Sequence, residues 1–166
     1  AERAAEIAEQ ITAGGRKAST WKCDVTDCAE VQSQIDGIVR HHGRIHTIVW
    51  AAGAMVEKQY IADFPTELYN RAFEVEARGF FHVVKAVVPH MRAAGGGSFV
   101  HIGSAGHIRW PEHDGLSVAP KAANEAVLRG LAREEGRYNI RANSVLSGIV
   151  EAGMFLELNR QGAFDD

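Results

Sequence analysis

The feature that most constrains this chain is an alternation. Short apolar runs with strand character are separated by longer segments whose apolar residues recur at helical spacing. Ile45–Trp50 (IHTIVW), Ser98–Ile102 (SFVHI) and Ile140–Leu146 (IRANSVL) are the clearest strand runs, and Lys17–Val25 (KASTWKCDV) reads as a further short strand. Ala4, Ala5, Ile7, Ala8 and Ile11 mark a first helix, which Gly14 and Gly15 stop. Asp27-Cys28-Ala29-Glu30 has the form of a capping box, opening a helix through Val31, Ile35, Ile38 and Val39 that Gly43 closes. His41 and His42 suit the end of that helix, where the dipole favours positive charge. Pro65 stands near the start of a long helix reaching about Arg92, apolar at Leu68, Ala72, Val75, Gly79 and Val83 and, past Gly79, on a second face at Phe81, Val84 and Val88. A last helix spans about Ser117 to Glu135, and the tail from Gly148 onward is weakly patterned. Strands alternating with helices of this length require a parallel sheet with right-handed crossovers. The expected class is α/β, a three-layer, doubly wound parallel sheet in a single domain over residues 1–166.

Composition narrows the function classes. A hydrophobic share of 46% and a charged share of 23% describe a globular chain, and a net charge of −3 with scattered Lys and Arg gives no basic stripe for nucleic acid. Runs such as GFFHVVKAVV fall short of the ~20 apolar residues of a membrane span. The start AERAAEIAEQ lacks the apolar core of a signal peptide, so the expected location is the cytoplasm. Cys23 and Cys28 lack the second pair that a zinc site wants, and the eight histidines show no HExxH spacing, so no metal is expected. In a parallel sheet of this kind ligands sit beyond the carboxyl ends of the strands. The segments to interrogate are therefore Ala51-Ala52-Gly53, Gly103-Ser104-Ala105-Gly106 and the run Ser147–Gly153.

Those segments, at this order and separation, resemble the short-chain dehydrogenase/reductase family of Rossmann-fold oxidoreductases, over essentially the whole chain. Cys23-Asp24-Val25-Thr26-Asp27 is similar to the family's acidic strand end beside the adenine, and Ile48–Gly53 (IVWAAG) to its Asn-Asn-Ala-Gly turn. Val75–Phe81 with Pro89-His90-Met91 resembles its central helix, and Phe99–Gly106 the strand and loop that deliver the catalytic serine, here Ser104. GLSVAPKAA falls on its Tyr-x-x-x-Lys segment and LSGIVEAG on its Pro-Gly loop over the nicotinamide. The resemblance implies hydride transfer between NAD or NADP and a small carbonyl or alcohol substrate. In that chemistry Lys121 binds cofactor ribose and tunes the acid, Ser104 holds the substrate oxygen, and Asp24, Val25, Ala51, Ala52, Gly53, Gly148 and Ile149 border the cofactor. It also implies a homodimer or homotetramer pairing the long helix and its successor.

The departures cluster on the site. Thirteen residues beyond Ser104, where the family carries the tyrosine acid, stands Ser117, whose hydroxyl has no accessible anion near neutral pH and lacks a phenol's reach. Glu76 takes the place of the family asparagine and sets a carboxylate next to Lys121, with which it is expected to pair. Ala51 replaces a turn asparagine, Ser147 a proline and Ala152 a threonine. Pro120 disfavours helical geometry at Ala119, so a helix starting only there would leave Ser117 and Lys121 unstacked. Ser117 also suits a helix N-terminus, a position for which Asp114 competes. Ser104 bonding only its own loop and Asp24 as a mere turn former are the plain readings beside the functional ones. His113 is a weaker substitute for the lost acid.

The family's Gly-rich pyrophosphate turn belongs to a βα unit that would precede Ala1, and its last helix and edge strand would follow Asp166. The expectation is a fold incomplete at both ends, the retained part of a longer protein. Functionally the sequence predicts an NAD(P)-dependent oxidoreductase with impaired or altered catalysis, the alternative being a non-catalytic nucleotide-binding or scaffold subunit.

Overall fold

The computed structural model describes residues 2–160 and 162. Three strands form one parallel sheet in the order β1-β2-β3: β1 is Thr47–Trp50, β2 Gly97–Ser104 and β3 Ile140–Ser147. Register runs Trp50 against His101 and His101 against Ser144, and ends with Ser104 opposite Ser147. Around the sheet lie α1 (Glu2–Ala13), α2 (Cys28–His42), α3 (Thr66–Phe73), α4 (Gly79–Ala93), α5 (Gly115–Glu135) and a short α6 (Met154–Arg160). This is the expected Rossmann-like α/β arrangement with parallel strands.

Local chemistry explains the boundaries. Asp27 caps α2 by accepting the N–H groups of Ala29 and Glu30 at 2.8 and 3.0 Å. Gly43 ends it at φ 85°, a left-handed value that glycine adopts without steric cost, and returns its N–H to Val39 O at 2.8 Å. Between α3 and α4 the helix continues through one π turn, Glu74–Arg78, so the two are a single rod with a local widening. Pro65 precedes α3 as expected.

The core lies between the sheet and the helices that touch it. Trp50, Phe99 and Ile140 from the strands meet Phe80, Val84, Val87 and Met91 of α4 and Leu128 and Leu131 of α5, with Val31 and Ile35 of α2 packed on α4. Because side chains alternate along a strand, the opposite parity faces away from this core. There Val49 is 60% and Val145 55% exposed, and that face is where a doubly wound fold carries its other layer. Of the second apolar face read on the long helix, Val84 and Val88 are buried in this core and only Phe81 stands out in solvent.

Two expectations require correction, the strand over residues 17–25 and the weakly patterned tail. Residues 17–25 form no strand: hydrogen-bonded pairing defines a strand, and β1 pairs only with β2. Side chains of Cys23 and Val25 still pack on the core, and the His82 ring donates to Val25 O at 3.0 Å, so the apolar pattern was a packing signal rather than a ladder signal. Helix α5 begins at Gly115, two residues before the expected Ser117, and runs unbroken through Pro120. Pro120 lies in its second turn, where it forgoes one backbone bond within a helix anchored by the Ser117 and Val118 N–H groups on Asp114 O, each at 3.1 Å. The tail holds α6, which its sparse apolar pattern did not reveal.

Candidate active site

The site forms where the three strands end. Beyond Ser104 and Ser147, at the mouth of the sheet, opens a cleft of about 310 Å³ bordered by Ser104, Arg109, Asp114, Ser117, Lys121 and Gly148, among others. Small residues dominate its walls, since Gly103, Ala105 and Gly106 line it too. Ser104 Oγ accepts the Gly106 N–H at 3.0 Å, which is the plain loop-bonding reading, and its residue nevertheless borders the cleft. Ser147 Oγ donates to Gly103 O at 2.9 Å and ties the ends of β2 and β3 together.

Helix α5 brings Ser117 and Lys121 one turn apart on the cleft side. Lys121 Nζ donates to Ser117 O at 3.3 Å and to Glu76 Oε2 at 3.0 Å. Glu76 arrives on the π turn and is only 2% exposed, with the Lys121 ammonium as its ion-pair partner. Its other oxygen, Oε1, is buried with no partner in the protein. Asn124, one turn beyond Lys121, donates to the Glu76 carbonyl at 3.2 Å and fastens the π turn to α5. The turn Ala51-Ala52-Gly53 after β1 closes over the pair: a Cβ on Gly53 would lie 2.5 Å from Glu76 Oε2 and 3.6 Å from Lys121 Nζ. Glycine is thus required there for close approach. Ala51 and Ala52 beside it are exposed.

Of the other anticipated residues, Asp24 and Val25 do not border the cleft, whereas Ile149 does. Asp24 accepts the N–H and hydroxyl of Thr26 at 2.9 and 2.8 Å, a local turn whose hydrogen bonds hold its carboxyl below the usual aspartate range. Val25 packs against Gly79 instead. Ile149 borders the cleft and is 77% exposed. The His113 ring turns to Tyr60, edge-on at 4.2 Å between centroids.

The residues that sequence reasoning passed over are Arg109, Asn124, His101 and, above all, Asp114. His101 is fully buried on β2, with Nδ1 3.1 Å from Glu125 Oε1 and 3.2 Å from Ser144 Oγ. Its inward position in a buried strand run was the available signal. Asp114 begins α5 without a side-chain capping bond, and burial pushes its carboxyl above the usual aspartate range although Lys58 and Lys121 pull the other way. On the far side of the same helix turn an apolar recess of about 270 Å³ is walled by Ile61, Phe64, Tyr69, Trp110 and Leu116. Among the described residues no three or more His, Cys, Asp or Glu are placed to hold a metal ion.

Comparison with known proteins fits this geometry. The family model described as enoyl-(acyl carrier protein) reductase matches residues 1–166. The chain belongs to the short-chain dehydrogenase/reductase family. It is 30% identical over 160 residues to versicolorin reductase 1 of Aspergillus parasiticus, covering 96% of this chain and 60% of that protein. To the 7α-hydroxysteroid dehydrogenase of Escherichia coli it is 28% identical over 150 residues, covering 90% of this chain and 58% of that one. The solved structure of NAD+-bound xylitol dehydrogenase superposes with a TM-score of 0.89 at 28% identity, over 96% of this chain and 61% of its own. The chain thus spans about three fifths of the length of these relatives.

Proposed function

We propose that the chain carries the substrate-facing part of an NAD(P)-dependent oxidoreductase that interconverts a small carbonyl compound and its alcohol. The observation that carries this reading is the convergence of Ser104, Ser117 and the Lys121–Glu76 pair at one cleft beyond the strand ends. Relatives named as reductases and dehydrogenases, and a neighbour solved with NAD+, support it.

The lining fits a nicotinamide group. Glycines and alanines leave a slot for a flat ring, and hydroxyls and an ammonium offer partners for an amide and a ribose. When bound, that cofactor supplies or accepts the hydride. The protein's own residues do the rest. Lys121, held by Glu76, presents its remaining N–H to a ribose hydroxyl. Ser104 turns its hydroxyl from the Gly106 N–H to the substrate oxygen and orients it. Gly53, with Ala51 and Ala52, and Gly148 with Ile149 border the ring from two sides, while Asp24 and Val25 serve the adenine end. A homodimer or homotetramer is the expected assembly.

The test is oxidation of NADH and NADPH by this chain, and by the gene's whole product if that is longer, against a panel of small aldehydes and ketones. Turnover with one cofactor is expected, with Ser117→Tyr raising it wherever a phenol improves on the existing acid. No turnover by wild type and Ser117→Tyr alike, alongside saturable nucleotide binding, would favour the non-catalytic nucleotide-binding subunit instead.

A further inference from the structure

A reductase needs a proton as well as a hydride, and Ser117 does not provide one near neutral pH. We propose that Asp114 is the proton donor of this site, doing from the first residue before α5 what the family assigns to a phenol one turn further on. The proposal rests on the carbonyl-reducing reading above.

Three observations carry it. Asp114 is the one carboxyl among the residues bordering the cleft, beside Ser104, Ser117 and Lys121. The cleft's remaining ionisable groups are unsuited: Arg109 keeps its proton at any ordinary pH, and Lys121 is committed to Glu76. Second, an aspartate at an N-cap ordinarily accepts the N–H of the second or third helical residue, which would stabilise its anion. Asp114 makes no such bond, so its carboxyl is not engaged by the start of α5. Third, its backbone is fixed from both sides. Its carbonyl anchors Ser117 and Val118, while Gln59 bridges to Asp114 and donates its N–H to His113 O at 3.2 Å. His113 completes the clamp at φ 61°, an unusual value for a residue with a side chain. These contacts fix the backbone that carries the carboxyl at the cleft edge. Burial raises its pKa, and the charged groups around it are Lys58 from the preceding segment, Arg109 from the loop after β2 and Lys121 from α5. A carboxyl whose pKa burial raises is better matched to giving up a proton in such a step than an ordinary aspartate is.

The step balances. As hydride from a reduced nicotinamide forms the new C–H bond at the carbonyl carbon, the carbonyl π pair takes the Asp114 proton and becomes the alcohol O–H. The cofactor is oxidised, the substrate reduced, and Asp114 is left a carboxylate that recovers its proton from solvent at the cleft mouth.

Two readouts test this. The first is a carbon NMR titration of this chain with labelled aspartate, the Asp114 signal assigned by its loss in Asp114→Asn. A midpoint above those of the other aspartates is expected, and a midpoint among them overturns the proposal whether or not turnover is found. The second uses the active enzyme. Asp114→Asn should lower carbonyl reduction by roughly 100-fold or more, leave NADH binding within about 2-fold, and abolish the fall in rate as pH rises through the donor's pKa. Ser117→Tyr added to Asp114→Asn should restore turnover. Asp114→Asn with undiminished rate and an unchanged pH limb would overturn it. Wild type that neither binds nor turns over would instead sink the oxidoreductase reading, and the NMR midpoint separates the two failures.

Discussion

Lys121 and Glu76 show how much a single pair of residues decides here. The Glu76 side chain is almost completely buried, the Lys121 side chain is 20% exposed, and their 3.0 Å contact joins the π turn to α5 beneath the cleft. Glu76→Gln keeps the shape and removes the charge, leaving Lys121 without its anion. We expect a loss of about 1–3 kcal/mol in urea unfolding at neutral pH; equal stability of variant and wild type would show that the pair contributes nothing. This contact was legible in the sequence, because Glu76 occupies a family position known to face the lysine and its neighbours are apolar. Asp114 was not. Its place before α5 reads fully as an N-cap, and only three dimensions show that the carboxyl makes no capping bond. Asp24 carries both readings in the sequence, and its two bonds to Thr26 form the local turn that either one needs.

Among the elements, helices were read well and strand ends poorly, for a physical reason. Helical bonds are local, so Asp27 and Gly43 mark their own helix, whereas residues 17–25 carry strand-like side chains and need a neighbour to become a strand. Pro120 does not delay the start of α5, because its local preference is outweighed by packing: Leu116, Val118 and Leu128 are buried on either side of it. Gly79 offers a direct test of how closely α4 seats. Alanine there gains helix propensity of about 1 kcal/mol, but its Cβ would lie 2.9 Å from Val25 Cγ2 and 3.3 Å from the Trp50 ring. Gly79→Ala should therefore destabilise the fold by about 1–3 kcal/mol in chemical unfolding, and a stabilised variant would contradict this packing. At the other end of α4, Arg92 forms a bidentate pair with Glu135 at the end of α5, with Nε to Oε2 at 2.7 Å. The guanidinium holds the Glu135 carboxyl below the usual range. A depressed folded-state pKa contributes stability above the ordinary glutamate value, which is lost as pH falls through the folded one. The thermal midpoint should drop across that acid window, and Arg92→Met should flatten the drop; parallel curves for the two proteins would refute the assignment.

At the scale of the whole molecule, the described residues make one covered sheet face and one open one. No helix among them is long and apolar enough to cross a membrane. Val49 and Val145 lie on the open face, and α1 has no buried residue. The cleft sits at the strand ends, on the covered side, and its parts converge there from β1, the π turn, β2, α5 and β3. That convergence is the central claim, and nicotinamide fluorescence tests it most directly. NADH and NADPH are titrated into wild type and Lys121→Ala, using this chain and the gene's whole product if longer. The account predicts saturable binding of one cofactor by wild type, weakened by about 10-fold or more when the charged ribose contact is removed. Absence of binding by wild type, or equal binding by Lys121→Ala, would contradict it.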